Sequence, residues 1–356
     1  MNKPRLNSLL RFQELYEQGK SGGPWLGESL GRALLGNTLA SASLEFVMGP
    51  GGGSKVAEGP LAGRSVGELI ADYGEDLIGR KGLELMENGL GLEIKFAAAD
   101  FSDLPLRVPE KLEAVIILEA RPGAVLYYGR RRDLKEETFR TLLLKSPGPE
   151  VLQDHPADSG QVFLAPAGFP FVLGRGVMAY VVSVKAPGRK KPRFGADKKT
   201  KSSWARSGPM TAAIPPSRFF IKGLGFVEGK NAVTWLYASE PVCTARLDLR
   251  EEWNDLGEAD GPRPGITALT GVFGRALLTA GDETETLERG ATVMISAHCR
   301  QFRINPATEG AVVLKTWFAD REREILQPLM RRGLSRRELE GLYGFFGGAE
   351  TAERLE

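Results

Sequence analysis

Side chains able to hold a metal or serve as a catalytic base at neutral pH are scarce in this sequence. Among 356 residues there are two histidines, His155 and His298, and two cysteines, Cys243 and Cys299. The cysteines form no CxxC pair, so neither a zinc ribbon nor a disulfide framework is indicated. Two histidines leave little room for a histidine-rich metal site, and a Ser-His-Asp triad would have to use one of them. His155, in Gln153-Asp-His-Pro156, reads as a surface-loop histidine, and His298, beside Cys299, as a loop or buried polar residue. The other chemistry-bearing feature is cationic. Between Lys185 and Arg206 nine residues are Lys or Arg and one is acidic, with Gly, Pro and Ser and no apolar period. Clustered donors such as Lys185, Arg189, Lys190, Lys191 and Arg193 suit a phosphate group. A solvated surface loop is the plainer reading of the same run. The whole chain is balanced, with 47 Lys and Arg against 45 Asp and Glu. That argues against a nucleic-acid coat. The longest apolar run, Val177 to Val182, is far too short to span a membrane, and no apolar leader is seen, so the expected compartment is the cytoplasm.

The elements that must position these residues are mostly strands. Gly (44) and Pro (22) make up nearly one residue in five, the texture of a turn-rich β protein. Pro4 to Gln18 has leucines at helical spacing and predicts a short helix, as does Ser29 to Leu35. Ser65 and Glu68 form a capping box that opens a helix running to Ile78, with Gly79 as its stop. From Leu92 the chain alternates and then gives strands at Ala114 to Ala120 and Ala124 to Tyr128 around a Pro122-Gly123 turn. Glu136 to Leu144 is a brief helix. Further strands follow at 161–164, 170–173 and 177–184. A second set runs from Phe219 to Phe318, and helices close the chain from Asp320, with a break near Pro328 and a second capping box at Ser335 and Glu338. Short strands separated by turns predict a β-sandwich or barrel, and the two halves share a faint repeat expected of a duplicated barrel.

Several blocks resemble the class I mannose-6-phosphate isomerases, zinc enzymes built from two cupin barrels. Trp25, Gly27 and Leu30 to Leu35 are similar to that family's WGG-x-x-L-x-x-L opening. Gly59-Pro-Leu-Ala-Gly-Arg-Ser-Val-Gly-Glu-Leu-Ile70 resembles its G-P-x-x-G-x-x-L-x-E-L-I block. Leu92-Glu-Ile-Lys-Phe96, Glu113 to Gly129 and Gln161 to Gly176 resemble, in order, its LLIKFLDA strand, its K-T-E strand with the following PGA turn, and its PAG turn. The resemblance covers most of the first half and loosely the second. It implies a mainly β fold of two cupin-type (jelly-roll) barrels with short N- and C-terminal helices. The expected layout is N-terminal helices and leading strands packed on the first barrel (1–90), a first barrel (91–184), a basic linker (185–216), a second barrel (217–319) and C-terminal helices (320–356).

The resemblance also places a metal site, and the residues found there change its chemistry. The family's zinc ligands are a Gln, two His and a Glu. Laid on this sequence they fall on Arg107, Pro109, Phe171 and Glu113, so Glu113 is the sole retained ligand position. Arginine only donates, and Pro and Phe have no ligating side-chain atom. An Arg107–Glu113 ion pair is expected instead, with a guanidinium neutralising the carboxylate that zinc would hold. The family's activating arginine falls by length near Lys191, the candidate catalytic residue. Arg107, Lys185, Arg189, Lys190 and Arg193 are the candidate substrate contacts, because the basic run lies where the resemblance brings in the substrate phosphate. The implied function is an isomerase-like protein that has lost zinc and isomerase activity and binds a sugar phosphate or other small anion, or acts as a regulator, with no cofactor. Two alternatives stand beside it. One is an active aldose–ketose isomerase with an unusual zinc site. The other is an interaction protein that docks an acidic partner or nucleic acid on residues 185–206, the nucleic acid being disfavoured by the balanced charge.

Overall fold

The computed structural model describes residues 5–13, 15–18, 39–46, 53–87, 91–99, 103–104, 106–109, 112–145, 148–166, 168–185, 220–221, 223–238, 242–255, 263–335 and 339. Two seven-stranded antiparallel sheets dominate them, each faced by a smaller sheet. The first large sheet runs, in spatial order, through Phe220–Ile221, Val162–Ala165, Glu113–Ala120, Val177–Lys185, Gly91–Ala99, Leu39–Phe46 and Leu15–Gln18. Leu152–Pro156, Val125–Arg130 and Phe171–Leu173 make its partner sheet. The second large sheet runs through Leu9–Arg11, Thr292–Ile295, Thr267–Phe273, Ala311–Phe318, Val242–Leu249, Asn231–Ala238 and Leu224–Glu228. Trp253–Asp255, Phe302–Pro306, Ala276–Ala280 and Glu283–Leu287 close that barrel. The fold is mainly β and consists of two cupin-type barrels.

Alternation along each strand divides the large sheets into two buried faces. In the first barrel Val115, Ala179 and Val181 point inward to a core with Phe163, Phe171 and Leu126. Their neighbours Phe96, Ile116, Tyr180 and Val182 point the other way, into a second core shared with the other barrel. There the fully buried Tyr180 hydroxyl lies 2.9 Å from Thr316 Oγ1, which is 3.1 Å from Thr244 Oγ1. A strand buried on both faces loses the solvent side that a simple alternating pattern implies.

The capping box forms as expected. Glu68 N–H donates to Ser65 Oγ at 3.2 Å and Ser65 N–H donates to Glu68 Oε2 at 2.7 Å, opening the helix Val66–Tyr73. The helix expected to run to Ile78 ends instead at Tyr73: the chain turns at Gly74, and Gly79, expected as a stop, kinks Glu75–Glu87 with a φ of 70° and the helix resumes beyond it. A Cβ at Gly79 would collide with the carbonyl oxygen of Pro264. This elbow docks on the second barrel: Lys81 N–H donates to Pro264 O, Ala297 N–H to Leu77 O and His298 N–H to Asp76 O, at 2.9, 2.9 and 2.8 Å.

Two local expectations are corrected. The leucines of Pro4 to Gln18 form strands at Leu9–Arg11 and Leu15–Gln18, not a helix. Leu9 and Leu10 are both buried, opposite Ile295 and Met294, and pairing with a sheet edge outweighs helical spacing in so short a segment. The break expected near Pro328 falls earlier, in a π-helical Arg321–Leu326 capped by Asp320, which accepts from Arg323 N–H at 2.9 Å. Pro328 sits in the first turn of Gln327–Arg331, where its missing N–H costs nothing. The helix expected at Ser29 to Leu35 lies outside the described residues, as does Glu338 of the second capping box.

Candidate functional site

Across three adjacent strands of the first barrel, Glu93, Ser183 and Glu113 stand in one row, with Ser183 paired to both carboxylates in register. Lys95 is two residues on from Glu93 and therefore on the same inward face. All four are buried. Ser183 Oγ donates to Glu93 Oε2 at 3.3 Å. Arg107 approaches this row from the segment that precedes Glu113. It is held by an antiparallel bridge to Phe171, with N–H···O bonds of 2.8 and 2.9 Å in both directions. Its guanidinium grips Glu113 as a fork, Nε to Oε2 at 2.7 Å and Nη2 to Oε1 at 2.8 Å, with Glu93 Oε2 3.6 Å from Nη2. Two parallel charge-assisted bonds fix both partners in orientation as well as distance.

The remaining positions of the implied metal site are filled or turned to other work. Pro109 is buried, and its carbonyl accepts from Gly168 N–H at 2.8 Å. Phe171 is 1% exposed and packs edge-on against Phe163, with ring centroids 5.4 Å apart. Tyr128 stacks beside them, 5.3 Å from Phe163 and 5.0 Å from Phe169. The interior next to Arg107 is thus aromatic core. A guanidinium, a proline and a phenylalanine do not fit zinc, and among the described residues no group of three or more His, Cys, Asp or Glu could hold a metal ion.

Lys185 is the last residue of its strand, opposite Gly91 and two positions beyond Ser183. Arg189, Lys190, Lys191 and Arg193 lie outside the described residues. His155 is placed differently from expectation. It sits within the strand Leu152–Pro156, half-buried, its ring 6.3 Å from that of Tyr128, and burial lowers its pKa. His298 does lie in a turn, with Nε2 3.4 Å from Ser8 Oγ.

Glu93, Lys95 and Ser183 were missing from the sequence-derived site. In Leu92-Glu-Ile-Lys-Phe96 the alternation reads as a charged solvent face. The second barrel covers the apolar face, so the charged face is the one turned into the first barrel. The second barrel holds a comparable group. Asp255 bonds Arg263 Nη2 at 2.9 Å and is in direct contact with Lys315 Nζ. Burial alone would raise the Asp255 carboxyl, but Lys315 and Arg263 outweigh it and hold the carboxyl well below the usual range. Lys315 also lies over Trp317, 4.5 Å from the ring centroid, and Arg263 over Phe302 at 4.7 Å.

No family model and no curated protein matches the sequence. Solved structures do match. The mannose 6-phosphate isomerase of Bacillus subtilis superposes with a TM-score of 0.63 over 87% of this chain and 99% of its own, at 15% identity. The apo mannose 6-phosphate isomerase of Salmonella typhimurium gives 0.61 over 88% and 100%, at 12% identity. The fold is that of the mannose 6-phosphate isomerases. Both barrels of the isomerase fold are covered end to end, so the likeness extends to the second half, where sequence blocks were few.

Proposed function

We propose that this chain is a mannose 6-phosphate isomerase-like protein in which an internal ion pair has replaced the metal centre, and that it binds a sugar phosphate without isomerising it. The observation that carries the reading is the fork of Arg107 on Glu113, with Pro109 and Phe171 at the other ligand positions. Aldose–ketose isomerisation shifts a proton between neighbouring carbons and builds negative charge on their oxygens, which must be stabilised. Arg107 is the only cation at the former ligand positions, and its charge is already matched by Glu113 and Glu93. Phosphate recognition falls to the basic run, with Lys185, Arg189, Lys190 and Arg193 as donors. Lys191, placed near the activating arginine by length alone, joins them as a donor in this reading. Among the described residues no helix is long and apolar enough to cross a membrane. The reading places the protein in the cytoplasm, where the free Cys243 and Cys299 stay reduced.

The test joins elemental analysis, an isomerase assay and calorimetry. We expect far less than one zinc per chain and no conversion of mannose 6-phosphate, with or without added zinc. Saturable binding of mannose 6-phosphate should be lost in R189S/K190S/K191S. Stoichiometric zinc that survives dialysis, together with turnover, establishes the active isomerase instead.

A further inference from the structure

The end of the first barrel remote from Arg107 carries a cleft of about 730 Å³ with a polar lining of its own. Glu93 lies near the start of Gly91–Ala99 and the cleft adjoins its end, so at about 3.3 Å per residue the two are roughly 20 Å apart. Arg121 and the Pro122-Gly123 turn form one wall, Arg175 and Gly176 another, and Asp103 and Tyr127 complete it. The volume is in the range of sites that enclose a small organic ligand.

The walls are tied together by the backbone. Arg121 N–H donates to Gly176 O at 2.9 Å and Gly174 N–H to Val125 O at 3.0 Å. Arg175 N–H donates to Asp103 Oδ1 at 2.8 Å. Gly176 has φ 86°, and a Cβ there would press on the Arg121 side chain at 3.0 Å. A Cβ at Gly174 would collide with the Val125 carbonyl. Two glycines therefore let the Arg175 turn close against the Arg121 hairpin, and the guanidinium-bearing walls are set before any ligand arrives. The Tyr127 hydroxyl is pushed up by burial and then by Asp103 and Asp154, while Arg175 acts in the opposite direction. The phenol stays protonated and can donate.

We propose that this cleft binds a small hydroxylated organic oxyanion, with Arg121 and Arg175 on the head group, Asp103 accepting from ligand hydroxyls and Tyr127 donating. Guanidinium forks match phosphate and carboxylate alike, whereas a carboxylate beside them is useful only to a ligand that also donates. The proposal is independent of the reading given above for the basic run.

Calorimetry with inorganic phosphate, glucose 6-phosphate and gluconate tests it and separates the two head groups. We expect saturable binding of glucose 6-phosphate or gluconate, weakened about tenfold or more in R121Q and in R175Q, with melting temperatures unchanged. Asp103→Asn keeps an acceptor for Arg175 N–H. It should weaken the hydroxylated probes and leave inorganic phosphate equal or tighter. R189S/K190S/K191S should leave all these affinities as they are. Absence of saturable binding at millimolar probe, or affinities unmoved by both arginine variants, overturns the proposal. Loss of all binding in the triple variant alone also overturns it, while leaving the phosphate reading of the basic run standing.

Discussion

Removing Arg107 takes the guanidinium from buried Glu113 and from Glu93, which keeps its bond from Ser183, whereas removing Glu113 leaves Arg107 with Glu93 and partial access to water. Arg107→Ala should therefore cost on the order of 3–5 kcal/mol, Glu113→Ala less, and the double variant less than their sum. Denaturant melts of all four proteins read this directly; additive losses mean that the fork contributes nothing to stability. In the second barrel the carboxyl of Asp255 is depressed in the folded state. Its contribution is fully present above the unfolded value of about 3.9 and is lost as pH falls below that toward the folded value. As pH falls below about 4 the parent should lose stability more steeply than Asp255→Asn, although Asn removes the carboxylate that faces Arg263 and Lys315 and is less stable at neutral pH. Parallel pH profiles for the two proteins exclude Asp255 from acid unfolding.

At the scale of elements, glycine positions separate backbone strain from collision. Gly79 and Gly123 have similar positive φ, 70° and 78°, but a Cβ at Gly123 meets nothing within 4 Å while one at Gly79 strikes Pro264. Gly79→Ala should cost about 1–3 kcal/mol more than Gly123→Ala, measured by thermal melts. The helix start at Ser65 and the Pro122-Gly123 hairpin were legible in the sequence because capping and turn chemistry are local, whereas the break at Gly74 and the helix beyond Gly79 were not. The strands Trp253–Asp255 and Glu283–Leu287 were not, since three to five residues without a clear period give no signal. Arg107 and Glu113 could be paired in advance through the family blocks, but Glu93 and Ser183 meet them only across a sheet. Asp255, Arg263 and Lys315 are likewise joined by topology alone. Strand placement also makes the proposed replacement of a metal site testable. Residues 107 and 171 face each other in a bridge and 109 is two positions on. The triple variant R107Q/P109H/F171H loses the Arg107–Glu113 pair, on the order of 3–5 kcal/mol, and a further ~1–3 kcal/mol of aromatic packing, and should regain melting temperature with added zinc. A folded triple variant indifferent to zinc shows that these positions do not converge as ligands.

For the molecule as a whole, the two large sheets share one apolar core, so heat should unfold both barrels in a single calorimetric transition. The Tyr180 hydroxyl, its pKa pushed up to about 12 by burial, is a buried polar link between them. Tyr180→Phe should lower stability by about 1 kcal/mol and keep the transition single, because Thr316 retains Thr244. Two separated transitions in the parent would refute the shared core. Sharing extends to the chain path. Leu9–Arg11, the earliest of the described strands in the chain, pairs with Thr292–Ile295 of the second barrel. At roughly 5–20 residues per second, a ribosome presents the partner strand on the order of tens of seconds later. Through that interval Leu9 and Leu10 have no sheet to join, and until they arrive the second barrel has an open edge of the kind that invites association with other chains. The nascent protein should therefore lean on chaperones until Thr292–Ile295 has emerged, and a circularly permuted version that makes Leu9–Arg11 directly after that strand's barrel should depend on them less.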